Sequence, residues 1–167
     1  ERAVPGSSAE DDLDEAEGDE AAATVLEQLW APAPEQGFTD VADEVTRWAD
    51  TMPTRFIEQM SPFERPLADL AADTLRDLAG SQPERLLLHG DLTHKNLLSS
   101  ERMAWLAIDP KPLAGERAFD VAALMRDRIE DVLADEDPRA RLQNRLDRLS
   151  ERLGCDRGRL REWSFAT

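Results

Sequence analysis

The segment that most restricts the fold is Leu88-His89-Gly90-Asp91-Leu92-Thr93-His94-Lys95-Asn96, a polar stretch framed by apolar runs too short to be helices. Arg85-Leu86-Leu87-Leu88 reads as a short buried strand leading into it and Leu97-Leu98 as one leading out. Ala104-Trp105-Leu106-Ala107-Ile108 reads as a third strand, ending at Asp109-Pro110. The turn residues Ser99-Ser100-Glu101-Arg102 let the last two strands pair as a hairpin. Such a hairpin brings Asn96 and Asp109 together, two oxygen-bearing side chains of the kind a hard divalent cation takes. Asp91, at the other side of the loop, offers a carboxylate that can accept a proton.

His89, Asp91, Leu92 and Asn96 match H-x-D-L-x-x-x-N, the pattern of kinase catalytic loops, and Asp109 supplies the second acid. Phosphoryl transfer needs these residue types. A carboxylate accepts the proton of the attacking hydroxyl, while an amide oxygen and another carboxylate hold Mg²⁺ against the nucleotide phosphates. Asp91 fits the first role, and Asn96 and Asp109 fit the metal roles. Taken singly, His89 is an ordinary buried histidine, Asp91 a turn residue and Asp109-Pro110 a strand end; their joint spacing favours the kinase reading.

The run from Trp105 through Asp109-Pro110-Lys111 to Phe119-Asp120, with His89-Gly90-Asp91 before it, resembles the aminoglycoside phosphotransferase family. The likeness is to its streptomycin 6-phosphotransferase branch, the aminoglycoside/hydroxyurea resistance kinases. It extends upstream through Leu29-Trp30-Ala31-Pro32 and Arg47-Trp48 and covers most of the chain beyond residue 20. The resemblance implies an α+β, mostly helical chain: the C-terminal lobe of a protein-kinase-like fold carrying a small catalytic β-hairpin. It also implies ATP and Mg²⁺ as cofactors, His89 as a residue that orients the loop, and Asp120 as a brace beneath it. The implied reaction moves the γ-phosphoryl group of ATP to a hydroxyl of an aminoglycoside, streptomycin first, giving antibiotic resistance. A kinase for another small hydroxylated substrate and a non-catalytic acidic interaction domain are the alternatives. Thr93 stands where the family usually has His, and Lys95 where it usually has Gly, which is expected to crowd the turn before Asn96.

The kinase lobe that binds nucleotide needs a strand-borne lysine, its glutamate partner and a covering loop. The only lysines are Lys95 and Lys111, and no glycine-rich strand-turn-strand precedes the loop. The sequence is therefore read as a single C-terminal lobe over residues 1–167, silent by itself, with an acidic stretch over 1–20 that is loop or partly disordered and whose Glu10–Glu20 run is a solvated loop or helix entry. A net charge of −16 opposes a nucleic-acid partner and suits a small cationic substrate. Glu116, Asp127 and Glu162 are the carboxylates expected to line its cleft. No apolar run is long enough to cross a membrane, and no signal peptide is evident, so a cytoplasmic location is expected.

Apolar periodicity predicts helices over Ala21–Leu29, Val41–Trp48 and Ala118–Leu133, and one ending at Gly154 after Leu142, Leu146, Leu149 and Leu153. Ser61-Pro62-Phe63-Glu64 has the form of a helix start. The helix that follows, with Leu67, Leu70, Ala71, Leu75 and Leu78 inward, is expected to hold the hairpin. His94 is placed at the surface or the substrate edge rather than as a metal ligand, the four tryptophans in packing roles, and Cys155 as an unreactive thiol.

Overall fold

Most of the acidic run Glu10–Glu20 is helical, in two helices broken at Leu13-Asp14. In the computed structural model, which describes residues 6–55 and 65–167, Ser8 caps a short helix α1 (Ala9–Asp12) and Asp14 caps α2 (Glu15–Leu29). Asp14 Oδ1 accepts the Glu17 N–H at 2.9 Å, and Glu17 accepts the Asp14 N–H in return, closing a capping box. The expectation of loop or disorder across residues 1–20 is thus corrected for residues 9–12 and 15–20. Carboxylates in a first helical turn sit at the positive end of the helix dipole, which favours helix there despite their mutual repulsion.

The chain continues through β1 (Ala31–Pro32), β2 (Thr39–Asp40), α3 (Val41–Arg55), α4 (Arg65–Ala79) and β3 (Leu86–Leu88). A 3₁₀ turn (His94–Asn96) then leads into β4 (Leu97–Ser99), β5 (Trp105–Ala107) and β6 (Leu113–Gly115). The helices α5 (Arg117–Arg126), α6 (Ile129–Leu133), α7 (Pro138–Leu153) and α8 (Arg157–Ala166) complete it. Strands β4 and β5 form the expected hairpin, in antiparallel register Leu97 to Ala107 and Ser99 to Trp105. The strand before the loop belongs to a different sheet, of order β1-β3-β6-β2, in which only β6 and β2 are parallel.

Three helix expectations change. Helix α3 runs past Trp48 to Arg55. The Ser61–Glu64 start lies outside the described residues. The span Ala118–Leu133 is two helices, because Asp127 is extended and Arg128 is left-handed at φ +55°. Asp127 leaves the helix to accept the His94 backbone N–H at 2.7 Å.

Helix α4 buries Ala68, Ala71, Ala72, Leu75 and Leu78, while Leu67 and Leu70 are exposed. It packs on α3 and α8; the hairpin rests on α1 and α2 instead. The reason lies on α7. Arg141, Arg145, Arg148 and Arg152 recur at helical spacing on one face. They reach Glu15 at 3.0 Å, Asp19 at 2.8 and 2.7 Å, and Glu20 and Glu27 at 2.8 Å. The stripe pairs with Glu15, Asp19 and Glu20 of the acidic run and fixes α2 across α7, so that α2 can floor the hairpin. In the core, Trp163 is fully buried and takes Phe119 edge-on at 5.2 Å between centroids. Among the described residues no helix is long and apolar enough to cross a membrane.

Candidate active site

Strand β3 delivers His89 and Gly90 onto the carboxylate of Asp120, the fourth residue of α5. Asp120 is fully buried and accepts the backbone N–H groups of His89 at 3.0 Å and Gly90 at 2.7 Å, together with the Trp30 indole at 3.1 Å. Burial pushes its carboxyl up, and the three donors oppose that push. His89 Nε2 faces the carbonyl of Ile108 at 3.0 Å, while Nδ1 accepts the Asp91 N–H at 3.4 Å. The ring therefore ties the start of the loop to the end of the hairpin. Gly90 is at φ +81°, and a Cβ there would meet the Lys111 carbonyl oxygen at 2.0 Å, so only glycine fits.

Across the hairpin the Ile108 N–H donates to the carbonyl of Asn96 at 2.9 Å, which brings Asn96 beside Asp109. The Asn96 Nδ2 donates to the Asp91 carbonyl at 2.8 Å, leaving the amide oxygen for other work. Asp109 is exposed and held at φ +55°, a costly conformation for a residue with a Cβ and one that clusters at functional sites. Among the described residues no group of three or more His, Cys, Asp or Glu is placed to hold a metal ion. An amide oxygen and a carboxylate fit Mg²⁺, which keeps its remaining positions for water and phosphate oxygens.

The carboxylate of Asp91 is a third exposed and receives Lys111 Nζ at 2.5 Å. Its hydrogen bond and charge raise the lysine above its usual range, keeping it an ammonium. The contact was not foreseen, because it depends on the left-handed turn at Asp109.

His94 is fully buried, contrary to the surface position expected, with its ring nitrogens 3.2 Å from Asp19 Oδ1 and Asp127 Oδ2. Gly18 leaves room for it, since a Cβ there would stand 2.9 Å from the ring. Nothing in the sequence pointed to Asp19 as its partner. Lys95 does not crowd the turn. Its backbone has no positive φ, and its exposed side chain reaches Glu10 at 3.5 Å.

The three carboxylates expected to line a substrate cleft separate. Glu116 is 2% exposed and held bidentately by Arg159, joining α5 to α8, so it cannot meet a substrate. Asp127 is committed to His94. Glu162 is exposed on α8. Cys155 is half-buried, and burial pushes its thiol up to about 12. At pH 8 it is expected to react with iodoacetamide far more slowly than free cysteine, because the thiolate is the nucleophile; alkylation at the free-cysteine rate would show an accessible thiolate.

The family model for aminoglycoside/hydroxyurea antibiotic resistance kinases matches residues 1–167. The chain belongs to this family. It is 36% identical over 154 residues to a streptomycin 6-kinase of Streptomyces glaucescens, covering 89% of the chain and 50% of that protein. To a streptomycin 6-kinase of Streptomyces griseus it is 35% identical over 161 residues, 96% of the chain and 51% of the relative. The chain thus spans about half the length of these relatives. Its fold resembles that of the choline kinase LicA from Streptococcus pneumoniae, with TM-score 0.56 and 16% identity over 98% of this chain and 54% of that one. The mostly helical, kinase-like fold expected from the sequence is the one observed.

Proposed function

We propose that this lobe belongs to an ATP-dependent phosphotransferase that phosphorylates a hydroxyl of an aminoglycoside, with streptomycin the first substrate to test. The observation that carries the reading is the placement of Asp91, Asn96 and Asp109 around one hairpin mouth, braced by His89 and Asp120. The streptomycin 6-kinase relatives support the acceptor.

Asp91 accepts the proton of the attacking hydroxyl, and its backbone is held on both sides, by His89 at the N–H and Asn96 at the carbonyl. Asn96 and Asp109 would hold Mg²⁺, whose charge would offset that of the nucleotide phosphates. Asp120 fixes the two backbone N–H groups before the base, so the loop is organised before substrate arrives. The nucleotide's remaining contacts belong to the lobe that kinases of this fold carry N-terminal to this one.

The direct test supplies Mg-ATP and streptomycin to a version carrying that nucleotide-binding half and looks for phosphorylated drug by mass spectrometry. Absence of phosphorylated streptomycin overturns the substrate; transfer to another hydroxylated acceptor would leave the reaction class standing. In that version Asp109→Asn is expected to raise the Mg²⁺ requirement and weaken Mg-ATP binding, since Mg²⁺ prefers carboxylate oxygen. Asn96→Ala should behave alike. Titrating Mg²⁺ at saturating ATP checks both, and unchanged midpoints would remove the metal roles.

A further inference from the structure

Lys111 is built into the loop more firmly than a surface cation needs to be. Its N–H donates to the His89 carbonyl at 2.8 Å, and its own carbonyl lies where a Cβ on residue 90 would have to go. Two residues earlier Asp109 takes a positive φ, turning the chain so that Lys111 meets Asp91. As a salt bridge the pair gives little in return. The two side chains are 66% and 35% exposed, and such pairs contribute little stability. The choice of residue is also informative. Among the described residues the ion pairs between α-helices are made by arginine, and Lys111 is one of two lysines among 20 cationic side chains. A lysine ammonium is a compact point charge suited to phosphate oxygens, and it swings on a flexible stem.

We infer that Lys111 is the phosphate-facing cation of the transfer step, resting on Asp91 in the free enzyme and turning to the γ-phosphoryl oxygens in the reacting complex. The inference rests on the phosphotransferase reading above. In the step, the acceptor oxygen bonds to the γ-phosphorus and the bond to the β,γ-bridging oxygen breaks. The hydroxyl proton passes to Asp91, and ADP departs with the bond's electron pair. Lys111 gives up no proton. Its departure from Asp91 frees that carboxylate for the acceptor hydroxyl, and its charge offsets that of the equatorial oxygens. One lysine thereby links the release of the base to the arrival of the phosphate it stabilises.

The test compares Lys111→Met and Lys111→Arg with wild type in the version carrying the nucleotide-binding half. Measured are kcat with drug, the Kd for Mg-ADP, and the Kd for Mg-ADP with aluminium fluoride, whose planar anion mimics the phosphoryl group in transit. Lys111→Met is expected to lower kcat by ~10² to 10³ and to weaken the fluoride complex, with Mg-ADP affinity within about threefold of wild type. Lys111→Arg should recover to within about tenfold of wild type, because charge is kept and only shape changes. A merely structural lysine would weaken Mg-ADP and its fluoride complex equally. That equal loss, or a Lys111→Met kcat within about threefold of wild type, overturns the role. If wild type itself phosphorylates no acceptor, the phosphotransferase reading fails and this role goes with it.

Discussion

Asp91→Asn is expected to lower kcat by ~10² to 10⁴, the usual worth of a positioned general base, while Mg-ATP affinity stays nearly constant. The substitution keeps the shape of the side chain. It also keeps the backbone contacts that shape the loop, since the His89 and Asn96 hydrogen bonds go to the Asp91 N–H and carbonyl rather than to its carboxylate. What it removes is the proton acceptor, so the loss falls on the chemical step. Lys111 loses its ion-pair partner but keeps its backbone anchor at His89. Steady-state kinetics with streptomycin, paired with nucleotide binding in the version that carries the nucleotide-binding half, separates these effects. A near-normal kcat would remove Asp91 from its role, whatever the rest of the loop does.

The candidate centre was legible because it is local. His89, Asp91, Asn96 and Asp109 lie within one loop and one hairpin, and hairpin pairing follows from short apolar runs with a turn between them. The supports of that loop were legible only in part. Asp120 could be placed by family resemblance, whereas Asp19 is far away in the chain and sits in what reads as a solvated acidic run. Sequence periodicity ranks Glu10–Glu20 by its self-repulsion, and the partner that cancels it, the arginine stripe on α7, is more than 120 residues distant, 126 from Asp19 to Arg145. The stripe is itself visible at positions 141, 145, 148 and 152, so an acidic run and a basic helical face of matching spacing are a signal that can be sought.

The same distance problem explains the carboxylates chosen for a cationic substrate. Glu116 and Asp127 stand at the two ends of α5, where a helix wheel cannot say which neighbour arrives. Arg159 of α8 claims Glu116 and His94 of the loop claims Asp127. Much of the chain's acidity is matched internally in this way. That pairing leaves the net charge of −16 unchanged, but it removes Glu116 and Asp127 as the carboxylates of an acidic substrate cleft.

Arg145→Ala is expected to destabilise the lobe by ~3 kcal/mol, the low end of the cost of breaking a buried ion pair, because Arg148 still reaches Asp19. Arg145 is fully buried, grips both oxygens of Asp19 at 2.8 and 3.0 Å, and donates to the Asp127 carbonyl at 2.7 Å. Its loss leaves Asp19, which is 1% exposed, with only the half-exposed Arg148 and the His94 ring, and loosens the turn that presents Asp127 to His94. Arg152→Ala on the same helix should cost less than ~1 kcal/mol, because Glu20 and Glu27 are half-exposed and water replaces the arginine. Urea unfolding followed by circular dichroism measures both, and equal losses would mean that burial does not govern the stripe. The pH dependence has a definite sign. Burial alone would raise Asp19, but hydrogen bonds from His94, Arg145 and Arg148, with the charge of Arg145, outweigh it and hold the carboxyl at about 2. A folded value below the ordinary carboxylate of ~3.9 stabilises the fold above that pH, and the contribution disappears as pH falls through the folded value. The stability gap between wild type and Asp19→Asn should therefore be full at pH 5 and narrow by ~2 kcal/mol between about pH 4 and pH 2. A gap that stays constant over that window would show that Asp19 is not held ionised by the node beneath the loop that carries Asp91.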